Sequence, residues 1–229
     1  MKKKRNIGFK VWLGIFAVIF FAIIIFIFLL TKKQSENIEI ETNLSQCDGY
    51  NAIGKAECYI DLAELYNDSR ICDAMITEAG YEFQKDNCYF QVGIRVLDYH
   101  ICEKIIDIET FGSDCYSSIA AEKKDLSICD QISLSNEKEN CYSRVAGSKK
   151  DPTICEKIKE GWKKDDCYAG VAIARKDPRL CNKISGIGTC DDVCCYTGIA
   201  RVKQDPKICD LINDEFLRHY CYQEIGESS

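Results

Sequence analysis

Two patterns of apolar positions divide the chain. The first is unbroken: residues 11–31, VWLGIFAVIFFAIIIFIFLLT, hold no charged side chain. A helix rising about 1.5 Å per residue would carry that run across a bilayer core about 30 Å thick. A cleaved secretory signal is the rival. Its apolar region spans only about 7–15 residues and closes on a small-residue cleavage site. This run is longer, and no Ala-x-Ala-like site follows it. It therefore reads as an uncleaved transmembrane anchor.

The second pattern is periodic and starts after a polar linker at 32–42. Cys-Tyr recurs at Cys58-Tyr59, Cys88-Tyr89, Cys115-Tyr116, Cys141-Tyr142, Cys167-Tyr168, Cys195-Tyr196 and Cys221-Tyr222. Four residues after each Cys stands an aliphatic: Leu62, Val92, Ile119, Val145, Val171, Ile199 and Ile225. The next residue is small: Ala63, Gly93, Ala120, Ala146, Ala172, Ala200 and Gly226. Offsets of 0, 4 and 5 share one face of an α-helix. Each Cys-Tyr is thus expected to open a long helix of about three turns, and the small residue lets a neighbouring helix approach.

Fourteen residues after each of the first six comes another Cys: Cys72, Cys102, Cys129, Cys155, Cys181 and Cys209. Four residues before these stand Asp68, Asp98, Asp125, Asp151, Asp177 and Asp205, and Asn43 holds the same place before Cys47. Asp and Asn are good helix N-caps because their side-chain oxygens accept a free backbone N–H. Pro152, Pro178 and Pro206 follow three of the Asp residues, at the first helical position, where no N–H is needed. Ile154, Leu180 and Ile208 precede the Cys, and Ile105, Ile132, Ile158, Ile184 and Ile212 lie three residues beyond it. A second, shorter helix is therefore predicted in each copy. The return distance to the next Cys-Tyr varies, from 12 residues after Cys155 to 16 after Cys72, as a loop tolerates.

One helix pair buries too little apolar surface to stand alone, whereas stacked pairs share a core. The expected fold is all-α: an α-solenoid of six to seven helix pairs over 43–229, with partial copies at its ends. Paired helices, a small residue such as Ala146 or Ala172 at the close-packing position and a Pro such as Pro178 at the turn resemble the tetratricopeptide and Sel-like helical repeats. The resemblance covers roughly residues 43–226 and is architectural. It implies a stacked array, stapled by disulfides as in some exported Sel-like proteins. It brings no site residues with it.

Charge sets the topology. Residues 1–10 carry Lys2, Lys3, Lys4, Arg5 and Lys10, whereas the far side of the apolar run has Lys32 and Lys33 followed by Glu36, Glu39 and Glu41. Positive charge stays inside, so residues 1–10 are expected in the cytoplasm and the C-terminal bulk outside it, in the cell membrane's outer compartment. The first 33 residues hold seven bases and no acid, which leaves −13 on residues 34–229 out of a net −6. So acidic a surface argues against nucleic acid, and against lipid contact beyond the anchor.

All 16 Cys lie beyond the anchor, and an even count in an exported segment reads as disulfides. Pairing across the fixed spacing strands Cys47 and Cys221. It also asks a bridge to span roughly 15 Å of helix, against a Cα limit near 7 Å. Pairing each short-helix Cys with the next Cys-Tyr gives 47–58, 72–88, 102–115, 129–141, 155–167, 181–195 and 209–221, and is preferred. Cys190 and Cys194 lie outside this register. They read as an eighth bridge; a reactive dithiol beside Cys195 and a swapped pairing with Cys181 are the other readings.

Candidate chemistry is sparse. Zinc sites use close ligand pairs, and only Cys190-x3-Cys194 is close; His100 and His219 share no repeat position. No Cys-x-x-Cys in a βαβ setting, hydrolase motif or phosphate loop occurs. No cofactor, metal or enzymatic activity is therefore expected. Tyr59, Tyr89, Tyr116, Tyr142, Tyr168, Tyr196 and Tyr222 either pack between helix pairs or form an aromatic ladder for a peptide or glycan. Lys123, Lys149, Arg175 and Lys203 recur late in the long helix, where cations favour the helix C-terminus. Asn43-Leu44-Ser45 and Asn67-Asp68-Ser69 match the N-glycosylation sequon. The expected role is an extracytoplasmic scaffold for a protein or peptide partner, or an envelope component. The alternative is a thiol-redox or metal-handling protein.

Overall fold

The computed structural model describes residues 15, 18–32, 44–75, 82–186 and 191–226. Every regular element among them is a helix. The contacts divide the chain into two compact units, Met1–Leu62 and Ala63–Ser229. The apolar run is helical over 18–32, and its side chains are exposed all round, from Val18 to Leu30. Among the described residues no helix is long and apolar enough to cross a membrane. Residues 11–14 and 16–17 of the expected anchor, the basic tail 1–10 and the linker from residue 33 lie outside the described residues.

Beyond the linker the described long helices are α1 Ala52–Tyr66, α2 Glu82–Val96, α3 Ser113–Lys123, α4 Ser135–Lys149, α5 Gly161–Arg175, α6 Asp192–Lys203 and α7 Glu215–Glu224. Each is preceded by a short helix: Ser45–Gly49, Arg70–Asp73, Tyr99–Lys104, Leu126–Gln131, Pro152–Lys157, Pro178–Lys183 and Pro206–Leu211. We number these pairs 1 to 7 after their long helices. Except for Arg70–Asp73, the short helices are 3₁₀ turns of five or six residues. In pair 3 a π-helical turn, Ile108–Gly112, runs directly into α3.

The long helices do not open at Cys-Tyr as the apolar spacing predicts. In α1, α2, α4, α5 and α7 the first helical residue lies well upstream of the Cys, so that Cys167 sits mid-helix in Gly161–Arg175. In α4 the extra turns are wholly polar, SNEKEN, and a polar helical turn leaves no apolar period to read. The variable segment is thus half helix rather than all loop.

The invariant fourteen-residue segment has a definite construction. In α5 the N–H of Asp177 bonds to the carbonyl of Ala172 at 3.0 Å, and that of Lys176 to Ile173 at 3.1 Å. This is a Schellman ending, with Lys176 left-handed at φ 55°. The Asp177 carboxylate then accepts the N–H of Arg179 and caps the short helix. The first of these bonds recurs from Asp68 to Ala63, Asp98 to Gly93, Asp125 to Ala120, Asp151 to Ala146 and Asp205 to Ala200, at 2.9–3.1 Å, and the second from Asn67, Lys124, Lys150 and Gln204. Each of these Asp carboxylates accepts the N–H two residues on. Chain reversal and cap therefore use the same residue, and an insertion would break both. The place of Asn43 lies outside the described residues. In α7 Gly226 is itself left-handed, at φ 81°, so it ends the helix instead of packing.

The repeated aliphatics Val92, Ile119, Val145, Val171 and Ile199 are fully buried. The apolar residues that flank the short-helix Cys, including Ile128, Ile132, Ile154 and Ile158, are buried as well. A methyl added to Gly93 would lie 3.2 Å from Cys115 Sγ of the next pair, which explains why this position stays small. Within Ala63–Ser229 the long helices pack in chain order, α2 on α3, α3 on α4, and so on to α6 on α7.

Candidate functional site

Every pair is centred on one bridge. The seven pairings are Cys47–Cys58, Cys72–Cys88, Cys102–Cys115, Cys129–Cys141, Cys155–Cys167, Cys181–Cys195 and Cys209–Cys221, with Cα separations of 5.6–5.8 Å. These suit a disulfide. Each joins the short helix to the middle of its own long helix, and none of the seven crosses between pairs. Cys195 bonds to Cys181, so the swapped arrangement does not occur. Cys194 is disulfide-bonded, so it is not half of a reduced dithiol; Cys190 lies outside the described residues.

Two further repeat positions surround the bridge. The residue after the short-helix Cys is acidic or amide: Asp48, Asp73, Glu103, Asp130, Glu156, Asn182 and Asp210. The residue three before Cys-Tyr is basic in five copies: Lys55, Lys85, Lys138, Lys164 and Arg218. In five copies the fold brings the acid or amide onto the tyrosine hydroxyl. Tyr89 donates to Asp73 at 2.6 Å, Tyr142 to Asp130 at 2.8 Å, Tyr196 to Asn182 at 2.9 Å and Tyr222 to Asp210 at 2.7 Å. Tyr168 donates to Glu156. The cations meet the same short-helix end: Lys55 pairs with Asp48, Lys164 with Glu156, and Lys85, Lys138 and Arg218 donate to carbonyls there. Positive charge at a helix C-terminus is favourable.

The next pair adds a cation. Lys104 Nζ lies 2.9 Å from Asp73 and 5.3 Å above the Tyr89 ring, and Lys183 Nζ lies 5.3 Å above Tyr168. Burial and then the carboxylate partner raise the Tyr142 and Tyr168 hydroxyls to about 12, and push Tyr89 higher still. The Tyr168 hydrogen bond and Lys164 hold the Glu156 carboxyl below its ordinary range.

The tyrosines are enclosed to different degrees. Tyr59, Tyr89, Tyr168 and Tyr196 are buried, and Tyr116, Tyr142 and Tyr222 are half-buried. Of the late bases, Lys123 serves a helix C-terminus, that of the neighbouring pair. Lys123 Nζ reaches the carbonyl of Leu97, at the end of the preceding long helix, at 3.0 Å. Asn67 is exposed in a left-handed turn, and its sequon partner Asp68 caps the next helix.

A third repeat position joins successive pairs. Asp86, Glu139 and Asp165, each two residues before Cys-Tyr, are buried. Asp86 accepts the N–H groups of Ile106 and Asp107 at 3.0 and 2.8 Å. Glu139 accepts from Lys159 N at 3.1 Å, and Asp165 from Ser185 N at 3.0 Å and Ser185 Oγ at 2.6 Å. Each acceptor belongs to one pair and each donor to the loop of the next. Among the described residues no group of three His, Cys, Asp or Glu could hold a metal ion. Comparisons with known family models, curated proteins and solved structures gave no match.

Proposed function

We propose that the chain is a single-pass membrane protein with its N-terminus in the cytoplasm and residues 43–229 outside it. That domain is an α-solenoid of disulfide-closed helix pairs. It serves as a scaffold for protein or peptide partners, or as an envelope component, and not as a catalyst. The observation that carries this reading is one bridge in every pair. Bridges at that density form and persist in oxidising compartments. The apolar helix exposed on all sides over 18–32 supports an anchor, as does the uncharged sequence upstream of it and the bias of bases to its N-terminal side. Chain-order packing of the long helices supports the solenoid, in keeping with the resemblance to tetratricopeptide and Sel-like arrays. Such arrays present extended surfaces and bring no chemistry of their own.

A pull-down with the full-length protein in detergent tests the role. Native protein is expected to retain partners that the reduced and alkylated protein loses. Identical captures by both forms, or none by either, would contradict it.

A further inference from the structure

The junction of pairs 2 and 3 departs from the repeat in two ways. A π-helical turn, Ile108–Gly112, takes the place of the first turn of a long helix, and such turns often mark functional positions. Apolar side chains also gather on the surface there. The Phe111 ring packs edge-on between Phe83 and Phe90, with centroids 4.9 and 5.9 Å away. Asp86 lies on the same face of α2, between Phe83 and Phe90 in the helical register, and grips the backbone at Ile106 and Asp107. The loop is thereby held against that face. Phe83 remains 61% exposed, Ile106 68% and Ile108 47%. A gathering of this kind marks an interaction surface more often than scattered exposure does.

The rim is acidic. Residues 105–121 contain Asp107, Glu109 and Asp114 and no base, and Glu82, Asp107 and Glu109 are exposed. Glu103 lines the adjoining cleft of about 240 Å³ with Ile108 and Tyr116. The nearby cations point elsewhere: Lys85 and Lys104 are turned toward Asp73 and its neighbours. Asp114 faces Arg144 at 3.3 Å, and Glu103 meets His100 Nδ1 at 2.9 Å.

We infer that this surface docks a cationic amphipathic segment of a partner protein, its apolar face on the phenylalanines and its bases toward the acidic rim. The inference rests on the reading of the domain as an interaction scaffold. Charge selects the occupant. An anionic lipid surface would be repelled, and a second copy placed symmetrically would bring two acidic rims together.

The test titrates the full chain, in zwitterionic nanodiscs with empty discs as the blank, against a labelled helical peptide with one Leu face and one Lys face. A Leu/Glu peptide is the counterpart. The Leu/Lys peptide is expected to bind, more weakly as ionic strength rises from about 0.05 to about 0.3 M. Phe83→Ser and Ile106→Ser should each weaken it about five- to tenfold through lost apolar contact. Glu109→Lys should weaken it too and strengthen the Leu/Glu peptide. Trp162→Ser, at an exposed aromatic elsewhere, should change nothing. Far-ultraviolet circular dichroism of each variant confirms that these exposed sites leave the fold intact. Equal binding of both peptides overturns the inference, as does unaltered binding by Phe83→Ser and Ile106→Ser. So does a peptide signal that proves to be dissociation of a homodimer. If the peptide fails while native pull-downs still capture partners, this surface is wrong and the scaffold reading stands.

Discussion

Asp177 shows how much one residue does in this repeat. Its N–H closes one helix and its carboxylate caps the next. Asp151 does the same, with a second hydrogen bond from Thr153 Oγ1 at 2.8 Å. Asp151→Ala should therefore cost about 1 kcal/mol, measurable by denaturant titration. These hydrogen bonds hold the Asp125 and Asp151 carboxyls below their ordinary value, and Arg179 and Arg70 do so for Asp177 and Asp68. A depressed folded-state pKa adds stability that is complete above the unfolded value near 3.9 and lost as pH falls through the folded one. Melting temperature should thus hold from neutral pH down to about 4 and drop below it. The drop should shrink in Asp151→Asn, which still caps but does not titrate. The residue before each Asp is left-handed, yet it is Asn67, Leu97, Lys124, Lys150, Lys176 or Gln204 and never Gly. A left-handed non-glycine costs roughly 1–2 kcal/mol, partly offset by the chain entropy a glycine would lose. Lys176→Gly should stabilise by about 0.5–1 kcal/mol in the same titration. The caps were readable because Asp and Pro state their role chemically. The reversal before them was not, because the usual glycine signal is missing.

At the scale of the element, the unit is a helix pair and its bridge. The pairing could be read from the order of the Cys residues and the length of the rigid segment. The polar first half of α4 could not, since neither Lys138 nor Asn140 advertises a buried face. The Lys-x-x-Cys-Tyr and Cys-acid signatures stood in the sequence too, but their meaning is mutual. Lys164, Glu156 and Tyr168 make sense only once Cys155 and Cys167 bring their helices together. Closing that loop should contribute roughly 2–3 kcal/mol. The double variant Cys155→Ser/Cys167→Ser should lose about that much while the other six described bridges stay oxidised, as intact-mass measurement after alkylation can verify.

For the whole molecule, stability depends on how pairs couple. Asp86, Glu139 and Asp165 join pairs 2 to 3, 4 to 5 and 5 to 6, each a buried carboxylate that accepts a backbone N–H of the next pair. Removing such an acceptor loses a hydrogen bond to a charged group, worth about 1.5–3 kcal/mol. Asp86→Ala should therefore speed amide exchange at Ile106 and Asp107, far more than in pairs 5 and 6. Equal acceleration throughout would mean that the array opens as one block. The central claim is an oxidised chain of separately closed helix pairs, held outside the cytoplasm. Mapping the disulfides of the natively purified full-length protein, cleaved without reduction and read by mass spectrometry, tests it most directly. No reduced Cys is expected, and the bridges should lie within each pair, including Cys155–Cys167 and Cys181–Cys195. A standing pool of free thiols, or a bridge across the rigid segment such as Cys167–Cys181, would contradict it.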